Sequence, residues 1–344
     1  MRKVGCWIAL LTCCVAALAQ DAYNAGISLS PDQKHFAVGN AGKEVHLYRL
    51  FDGKRVRTFR PDRVADAFFL TKPAFSMDGK FITAGNVGPD GGVNPVWRVS
   101  DGKPIAEVAM MTNVLGGYAC NPVAFSGDGK YIIGQLYGYT GALGKLAWTT
   151  RDWRHAYLQP QPPDTSGVVA ISPKGNLIAE VHADGNADFW EFEGNLSDRW
   201  TGWIVSLPKD VQYASFSGDG NVLVMAGDGW CAAHDWRNIP TEGVMIDTEK
   251  RIDRTVVVKK SDPVKDFVVR SVVANEQGNL AFIGSRDGRI ARINLKTGRA
   301  EKVWEAFPSP VKGLALTKSG DLLSYDLETV RVWSHDGVLR KTIK

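Results

Sequence analysis

His182, Asp184 and Asp188 fall within the short stretch HADGNAD, bringing an imidazole and two carboxylates to a spacing that could hold a metal ion or move a proton. The same stretch contains Asp-Gly-Asn, the chemistry of a tight hairpin turn, and that simpler reading is preferred. The remaining histidines, His35, His46, His155, His234 and His335, are dispersed along the chain and form no ligand pair at metal-binding spacing. There is no Gly-x-Ser-x-Gly, no phosphate loop and no His-Glu-x-x-His. No catalytic, metal or cofactor residue is therefore assigned, and an active site would have to be assembled from residues far apart in the chain.

Two other groups have binding rather than catalytic chemistry. Tyr137 and Tyr139 stand between glycines in GQLYGYTGALGK (Gly134 to Lys145), and Phe69 and Tyr118 lie in segments that also carry Phe68, Met110 and Met111. Aromatics and methionines gathered in variable loops are typical of a contact surface. For Phe68, Met110 and Met111 a role in capping the core beneath their own loops is the better reading. Arg270 and Lys312 are bases at matching points of two successive repeats. They could hold a small anion or a carboxylate, or could be surface bases neutralised by Asp266 or Glu305.

A repeat must position all of these. A short apolar strand, a Ser-like residue, an Asp/Gly turn and a second apolar strand recur seven times, as in AFSMDGKFITAG, VAFSGDGKYIIG and ASFSGDGNVLVMAG. The residues in register are Ser30, Ser76, Ser126, Ser172, Ser217, Asn275 and Thr317, spaced by 42 to 58 residues. A strand with an aromatic near its end follows most copies, with Tyr48, Trp97, Trp148, Trp190, Trp236 and Trp333 as the anchors and Ile293 in the sixth copy. A further turn and an outer strand complete each unit. Four antiparallel strands, a to d, repeated seven times at about 45 residues, predict an all-β fold, a seven-bladed β-propeller. No segment offers a helical period long enough to compete.

The expected layout is a signal peptide over 1–19 and one propeller domain over 20–344, with blades at about 25–61, 71–109, 121–160, 167–207, 212–262, 270–306 and 312–344. The residue two before the register position is nearly always small (Ser28, Ala74, Ala124, Ala170, Ser215, Ala315) and the next is mostly large, giving each inner strand a thin and a thick face. The chain begins near the first strand a and ends on the last strand d, so ring closure is expected mainly by packing of blade 7 on blade 1. Arg237 to Lys265 is the longest insertion and should supply the outer strand of blade 5 together with a charged excursion.

The a-strand turn (AFSGDGK, VAISPKGN) and the c-strand ending (VWRVSDGK, VRVWSHDG) resemble the WD40/YVTN superfamily of propellers over essentially the whole chain beyond the signal. The Gly-His and Trp-Asp dipeptides of strict WD40 repeats are absent. The resemblance is thus to the degenerate YVTN or quinoprotein-like members, and it implies a propeller without the buried His and Asp network.

Composition fits this reading and narrows the partners. The 344 residues include 36 Gly and 11 Trp, which suits many tight turns and large buried anchors, and 44% apolar against 23% charged residues excludes disorder. Met1-Arg2-Lys3, the apolar run to Leu18 and Ala17-Leu18-Ala19 before Gln20 read as a secretory signal cleaved between Ala19 and Gln20. The run is short for a membrane-spanning helix, so no stable insertion is expected after cleavage. Loss of Arg2 and Lys3 lowers the net charge from +4 to +2, which leaves no field for nucleic acid. Cys120 and Cys231 remain, two blades apart, and are expected to be separate buried thiols. The function expected is a secreted or periplasmic monomeric binding or scaffold module for a protein or other ligand, without cofactor, acting through the face of variable loops. The alternative is a propeller enzyme, a lactonase-like hydrolase or a quinoprotein-like oxidoreductase.

Overall fold

The computed structural model describes residues 26–39, 44–61, 69–88, 93–109, 118–138, 141–160, 167–173, 177–182, 187–192, 198–204, 211–235, 256–257 and 264–344. The segments read as the signal peptide and its cleavage point at Ala19 and Gln20 lie outside these residues, as do Tyr139, Phe68, Met110 and Met111.

Seven blades follow one another along the chain, each an antiparallel meander. Blade 1 is β1 (Ile27–Leu29), β2 (His35–Gly39), β3 (Val45–Arg49) and β4 (Arg55–Phe59); blade 2 is β5 (Phe69–Phe75), β6 (Phe81–Gly88), β7 (Val93–Arg98) and β8 (Pro104–Ala109). Blade 3 is β9 (Tyr118–Phe125), β10 (Tyr131–Gly138), β11 (Gly141–Thr149) and β12 (His155–Pro160); blade 4 is β13 (Gly167–Ile171), β14 (Leu177–His182), β15 (Ala187–Phe192) and β16 (Asp198–Ile204). Blade 5 is β17 (Tyr213–Phe216), β18 (Val222–Gly227), β19 (Trp230–Asp235) and the two-residue β20 (Val256–Val257). Blade 6 is β21 (Val269–Ala274), β22 (Leu280–Ser285), β23 (Arg289–Asn294) and β24 (Arg299–Glu305); blade 7 is β25 (Gly313–Leu316), β26 (Leu322–Tyr325), β27 (Val330–Trp333) and β28 (Leu339–Ile343). The innermost strands touch their neighbours in turn, and β25 closes on β1.

The register serine has a mechanical role that explains its recurrence. Ser126 Oγ donates to Asp128 at 2.7 Å and accepts the amide of Tyr131, the first residue of β10, at 3.0 Å, while Asp128 accepts the amide of Lys130. Ser30 with Asp32, Ser76 with Asp78 and Ser217 with Asp219 repeat this pattern. Asn275 does the same work with its amide oxygen, and Thr317 with its hydroxyl. The side-chain oxygen thus replaces a missing ladder partner at the start of strand b and fixes the turn.

The core is divided among the seams rather than gathered at one centre. Each of seven buried apolar clusters joins two adjacent blades, for example Leu47 and Phe59 with Ile82 and Trp97 between blades 1 and 2. Among the described residues the seam between blades 3 and 4 has the smallest, Ile133 and Ala147 against Val169 and Ile178. The seam that closes the ring is built like the others, from Ile27, Phe36, Val38 and Tyr48 of blade 1 and Ala315, Leu323, Tyr325 and Val332 of blade 7. Among the described residues no strand is exchanged between blades 1 and 7, and the seam between them is packed face to face.

Polar bonds reinforce these seams at equivalent positions. Arg57 on β4 donates to the Ser100 carbonyl in the c–d turn of blade 2 at 2.8 Å. Lys341 on β28 reaches the Phe51 carbonyl in the c–d turn of blade 1 at 2.6 Å, and Lys302 on β24 reaches the Asp336 carbonyl of blade 7. A d-strand cation on the next blade's turn carbonyl is therefore a recurring device, and the closing seam uses it too.

The c-strand anchors are buried as expected at Tyr48, Trp97, Trp148, Ile293 and Trp333. Trp97 satisfies its indole N–H on the Arg60 carbonyl of blade 1 at 3.0 Å. Blade 5 departs from the expectation. The residue paired with Leu223, in the place Trp97 takes opposite Ile82, is His234, 7% exposed, and Trp236 lies two residues on, outside the described residues. The b–c connection here is only Asp228-Gly229, which brings the anchor position earlier than an aromatic in the sequence would suggest.

Candidate functional site

Strands a begin, and strands b end, on the face that carries the b–c and d–a connections. On most blades strand a is short, with three residues in β1 and four in β17 and β25. Blades 2 and 3 depart from this: β6, β9 and β10 have eight residues each and β11 has nine. Their added length runs toward this face and joins the two blades into one eight-stranded sheet, because Val87 and Gly88 of β6 pair with Ala119 and Tyr118 of β9.

The segment Gly134 to Lys145, expected as a long loop, is therefore mostly strand. β10 and β11 pair as far as Gly138 opposite Gly141, leaving a two-residue connection. Likewise Asn86 to Val96 gives its first residues to β6 and its last to β7. A glycine-rich composition suggests loop, but a hairpin with a short connection keeps its backbone paired and needs no loop.

This extension brings together three of the predicted contact residues. Phe69 pairs with Val87, Val87 with Ala119, Ala119 with Tyr137, and Tyr137 with Ala142, a continuous row across β5, β6, β9, β10 and β11. Tyr118 is the next residue along β9 from this row. Tyr139, beyond the end of β10, lies outside the described residues.

The axial mouth opens on the same face. Arg270 lies on β21 and is only 8% exposed, so it is no surface base; its Nη1 donates to the Val269 carbonyl at 3.3 Å. It is the extra residue of a β-bulge, since Val269 pairs with Ser285 and Ser271 with Gly284. Asp228 accepts the Val269 amide at 3.0 Å, next to it in the chain. Lys312 immediately precedes β25, is half-buried, and donates its backbone amide to Tyr325 at 2.8 Å.

A third base was missed by the sequence reading. Lys72 lies on β5, where Leu70 pairs with Asn86 and Pro73 with Ala84, so Thr71 and Lys72 together oppose one residue in a second bulge. A Cβ placed on Gly26 would come within 2.6 Å of the Lys72 Cβ, and one on Gly313 within 3.1 Å of the Gly26 Cα. Gly313, Gly26 and Lys72 thus stand side by side round the axis. Solvent reaches Lys72, yet burial pulls its ammonium below the usual lysine range, with no charged neighbour contributing. Lys72 is exposed, on an innermost strand, with its stem packed against Gly26. The signal was present in the sequence: at this position the other copies carry Gly26, Pro122, Val168, Tyr213, Ser271 and Gly313, and only Lys72 is charged.

His182 and Asp188 pair across β14 and β15, with Nε2 and Oδ2 3.1 Å apart. Among the described residues no group of three His, Cys, Asp or Glu could hold a metal. Cys231 is a free thiol buried in β19, and burial pushes it up to about 12. Cys120 lies in β9 of blade 3, two blades away.

No protein-family model matches the chain, and no curated protein matches it.

Proposed function

We propose that this propeller is an extracytoplasmic binding module, related to the degenerate WD40/YVTN type, that engages a protein or other macromolecular partner through the b–c and d–a face. One observation carries this reading: the fused sheet of blades 2 and 3 extends on that face alone and gathers the strand positions of Phe69, Tyr118 and Tyr137. A rigid, paired platform loses less conformational entropy on binding than a loop of the same composition. The apolar run at the amino terminus supports export, and the near-neutral charge beyond it favours no polyanion.

The test is affinity capture from the envelope fraction of the source cells with identification by mass spectrometry, comparing the unsubstituted chain with a Tyr118→Ala/Tyr137→Ala variant. A partner retained by the first and lost by the second, with the variant still folded by circular dichroism, is the expected result. A partner bound equally by both places the contact elsewhere.

A further inference from the structure

We propose that the face opposite the variable connections docks on an anionic phospholipid surface through blades 7, 1 and 2, with Phe51, Val338 and Met77 entering the headgroup region and the bases of β4 and β28 meeting its phosphates. The contact is peripheral, and it is separate from the macromolecular contact proposed above, which lies on the other face of the disc.

Five large apolar side chains are exposed among the described residues, Phe51, Val56, Met77, Val338 and Leu339, and all lie on these three consecutive blades. Phe51, 80% exposed, is in the c–d turn of blade 1; Val338, 60% exposed, follows that of blade 7, and Met77 is in the a–b turn of blade 2. Val56 and Leu339 sit at the turn ends of β4 and β28. The seam brings the last two groups together, since Lys341 of β28 reaches the Phe51 carbonyl and a Cβ on Gly53 would lie 2.7 Å from Ile343. Where blade 1 has Phe51, the described c–d turns of equal length carry Ser100, Arg151 and Lys296. The turn therefore does not require an aromatic there. Exposed apolar groups gathered on one side of a ring mark a contact surface.

The charges around these side chains select the partner. Arg49 to Arg60 holds five bases with Asp52 the sole acid, and β28 adds Arg340 and Lys341 with no acid, whereas β8, β16 and β24 each carry an acid. Arg49 pairs with Asp52, Arg60 with Glu44 and Arg340 with Asp321. Arg57 and Lys341 bond to turn carbonyls, which do not neutralise them, and Lys54 and Arg55 are exposed. Seven bases thus meet three acids, an excess equal to the +4 of the entire chain. Asp336, beside Val338, is engaged by Arg292 of blade 6. The near-neutral total therefore conceals a basic rim around the exposed apolar groups.

Placement favours a lipid surface over an acidic peptide. The most exposed groups stand on separate hairpin turns of one face, so a plane can meet them together. Val56 and Arg340 are the extra residues of bulges in β4 and β28, for Tyr48 pairs with Arg55 and Leu47 with Arg57, and Trp333 with Leu339 and Val332 with Lys341. These bulges interrupt the open edge of each outer strand at its turn end, so an added peptide strand gains no continuous ladder there. Apolar side chains at headgroup depth with bases at phosphate level add buried area to electrostatic attraction, which is how a peripheral surface holds an anionic membrane. Docked in this way, the fused sheet of blades 2 and 3 extends away from the lipid.

Flotation of the purified protein with vesicles tests this, using phosphatidylcholine alone and phosphatidylcholine mixed with phosphatidylglycerol. The protein should float with the mixed vesicles, far less with the neutral ones, and less as salt is raised. Phe51→Ser should weaken the partition by about tenfold, and Lys54→Ser combined with Arg55→Ser by about tenfold or more. All three side chains are exposed, so these variants keep the fold. Tyr118→Ala/Tyr137→Ala, on the other face, should float like the unsubstituted chain, and its failure to do so overturns the proposal. So does absence of binding to the mixed vesicles, or equal binding to both kinds. A Phe51→Ser partition within about twofold of the original also overturns it, and is what attachment through the apolar amino-terminal run would give. Retention on immobilised polyglutamate without vesicle binding assigns the rim to an acidic protein instead and overturns the lipid contact.

Discussion

The Tyr325 hydroxyl, at the end of β26 in the last blade, donates across the ring seam to the Gly39 carbonyl of the first blade at 3.1 Å. It also lies 3.0 Å from the Leu327 carbonyl, and the ring is 2% exposed. Burial holds the phenol well above the usual tyrosine range, so it stays a donor at any working pH. Among the described residues the closing seam shares no strand, and this bond joins those of Lys318 with Gln33 and Lys341 with Phe51 in linking the first and last blades. Tyr325→Phe keeps the packing and leaves the buried carbonyl short of a donor, which should cost about 1–2 kcal/mol. The urea midpoint should fall with the slope unchanged; an unaltered midpoint would mean that apolar packing alone closes the ring.

The register serines should be worth more than their size. Ser217, fully buried, accepts the Val222 amide at 2.9 Å and donates to Asp219 at 2.6 Å. Ser217→Ala leaves that amide without its partner, and a loss of about 1–2 kcal/mol is expected in chemical denaturation. Ser217→Thr, which keeps the hydroxyl, should recover most of it. Equal losses for the two variants would show that volume, not the hydrogen bond, is what the turn requires.

Two turn glycines separate backbone strain from crowding. Gly129 has φ +71° with open space where a Cβ would go, whereas at Gly288, φ +84°, a Cβ would overlap the Phe307 carbonyl oxygen. Gly129→Ala should cost about 1 kcal/mol from backbone conformation alone. Gly288→Ala should cost about 3 kcal/mol or more, because the seam between blades 6 and 7 must also shift. Comparable thermal shifts for the two would contradict the close approach.

These positions also show what could be read from sequence. The serines were visible because one side-chain oxygen solves the same turn in every repeat, and the anchors at Trp97 and Trp333 because large rings fill the widening gap between blades. His234 was not, since it takes its place by counting along the ladder rather than by residue type. The bulges at Thr71-Lys72 and Arg270 depend on pairing across strands, which no single repeat records, although Pro73 and Pro122 within innermost strands hinted at interrupted ladders. The fused sheet of blades 2 and 3 was hidden for a related reason. Its glycine-rich hairpins have loop-like composition, and only the partner strand decides that they are paired.

Acid should weaken the fold through its turn carboxylates. The Ser30 hydroxyl, opposed by partial burial and assisted by the Lys34 amide, holds Asp32 below the usual range. The Arg49 guanidinium brings Asp52 down to about 2. Both groups have lower values folded than unfolded, where an aspartate titrates near about 3.9. Their contribution is therefore complete above about pH 4 and is lost as pH falls toward about 2. Urea midpoints measured from pH 6 to pH 2.5 should drop mainly in that window, and Asp32→Asn combined with Asp52→Asn should flatten the drop. A decline that sets in above pH 5 would assign acid sensitivity to other groups.

Cys231 should be silent in the folded protein and reactive once blade 5 opens. The thiol is buried in the cluster shared with blade 6 and its ionisation is pushed up to about 12, so almost no thiolate exists at neutral pH. An aromatic disulfide reagent at pH 8 should label Cys231 only at the rate of unfolding, and urea should bring it to completion within the dead time of mixing. Because Cys231 packs with Val224, Ala233 and Phe267 across that seam, its labelling rate also reports opening between blades 5 and 6. Prompt labelling of Cys231 without denaturant, located by peptide mapping, would show that this seam breathes independently of the ring.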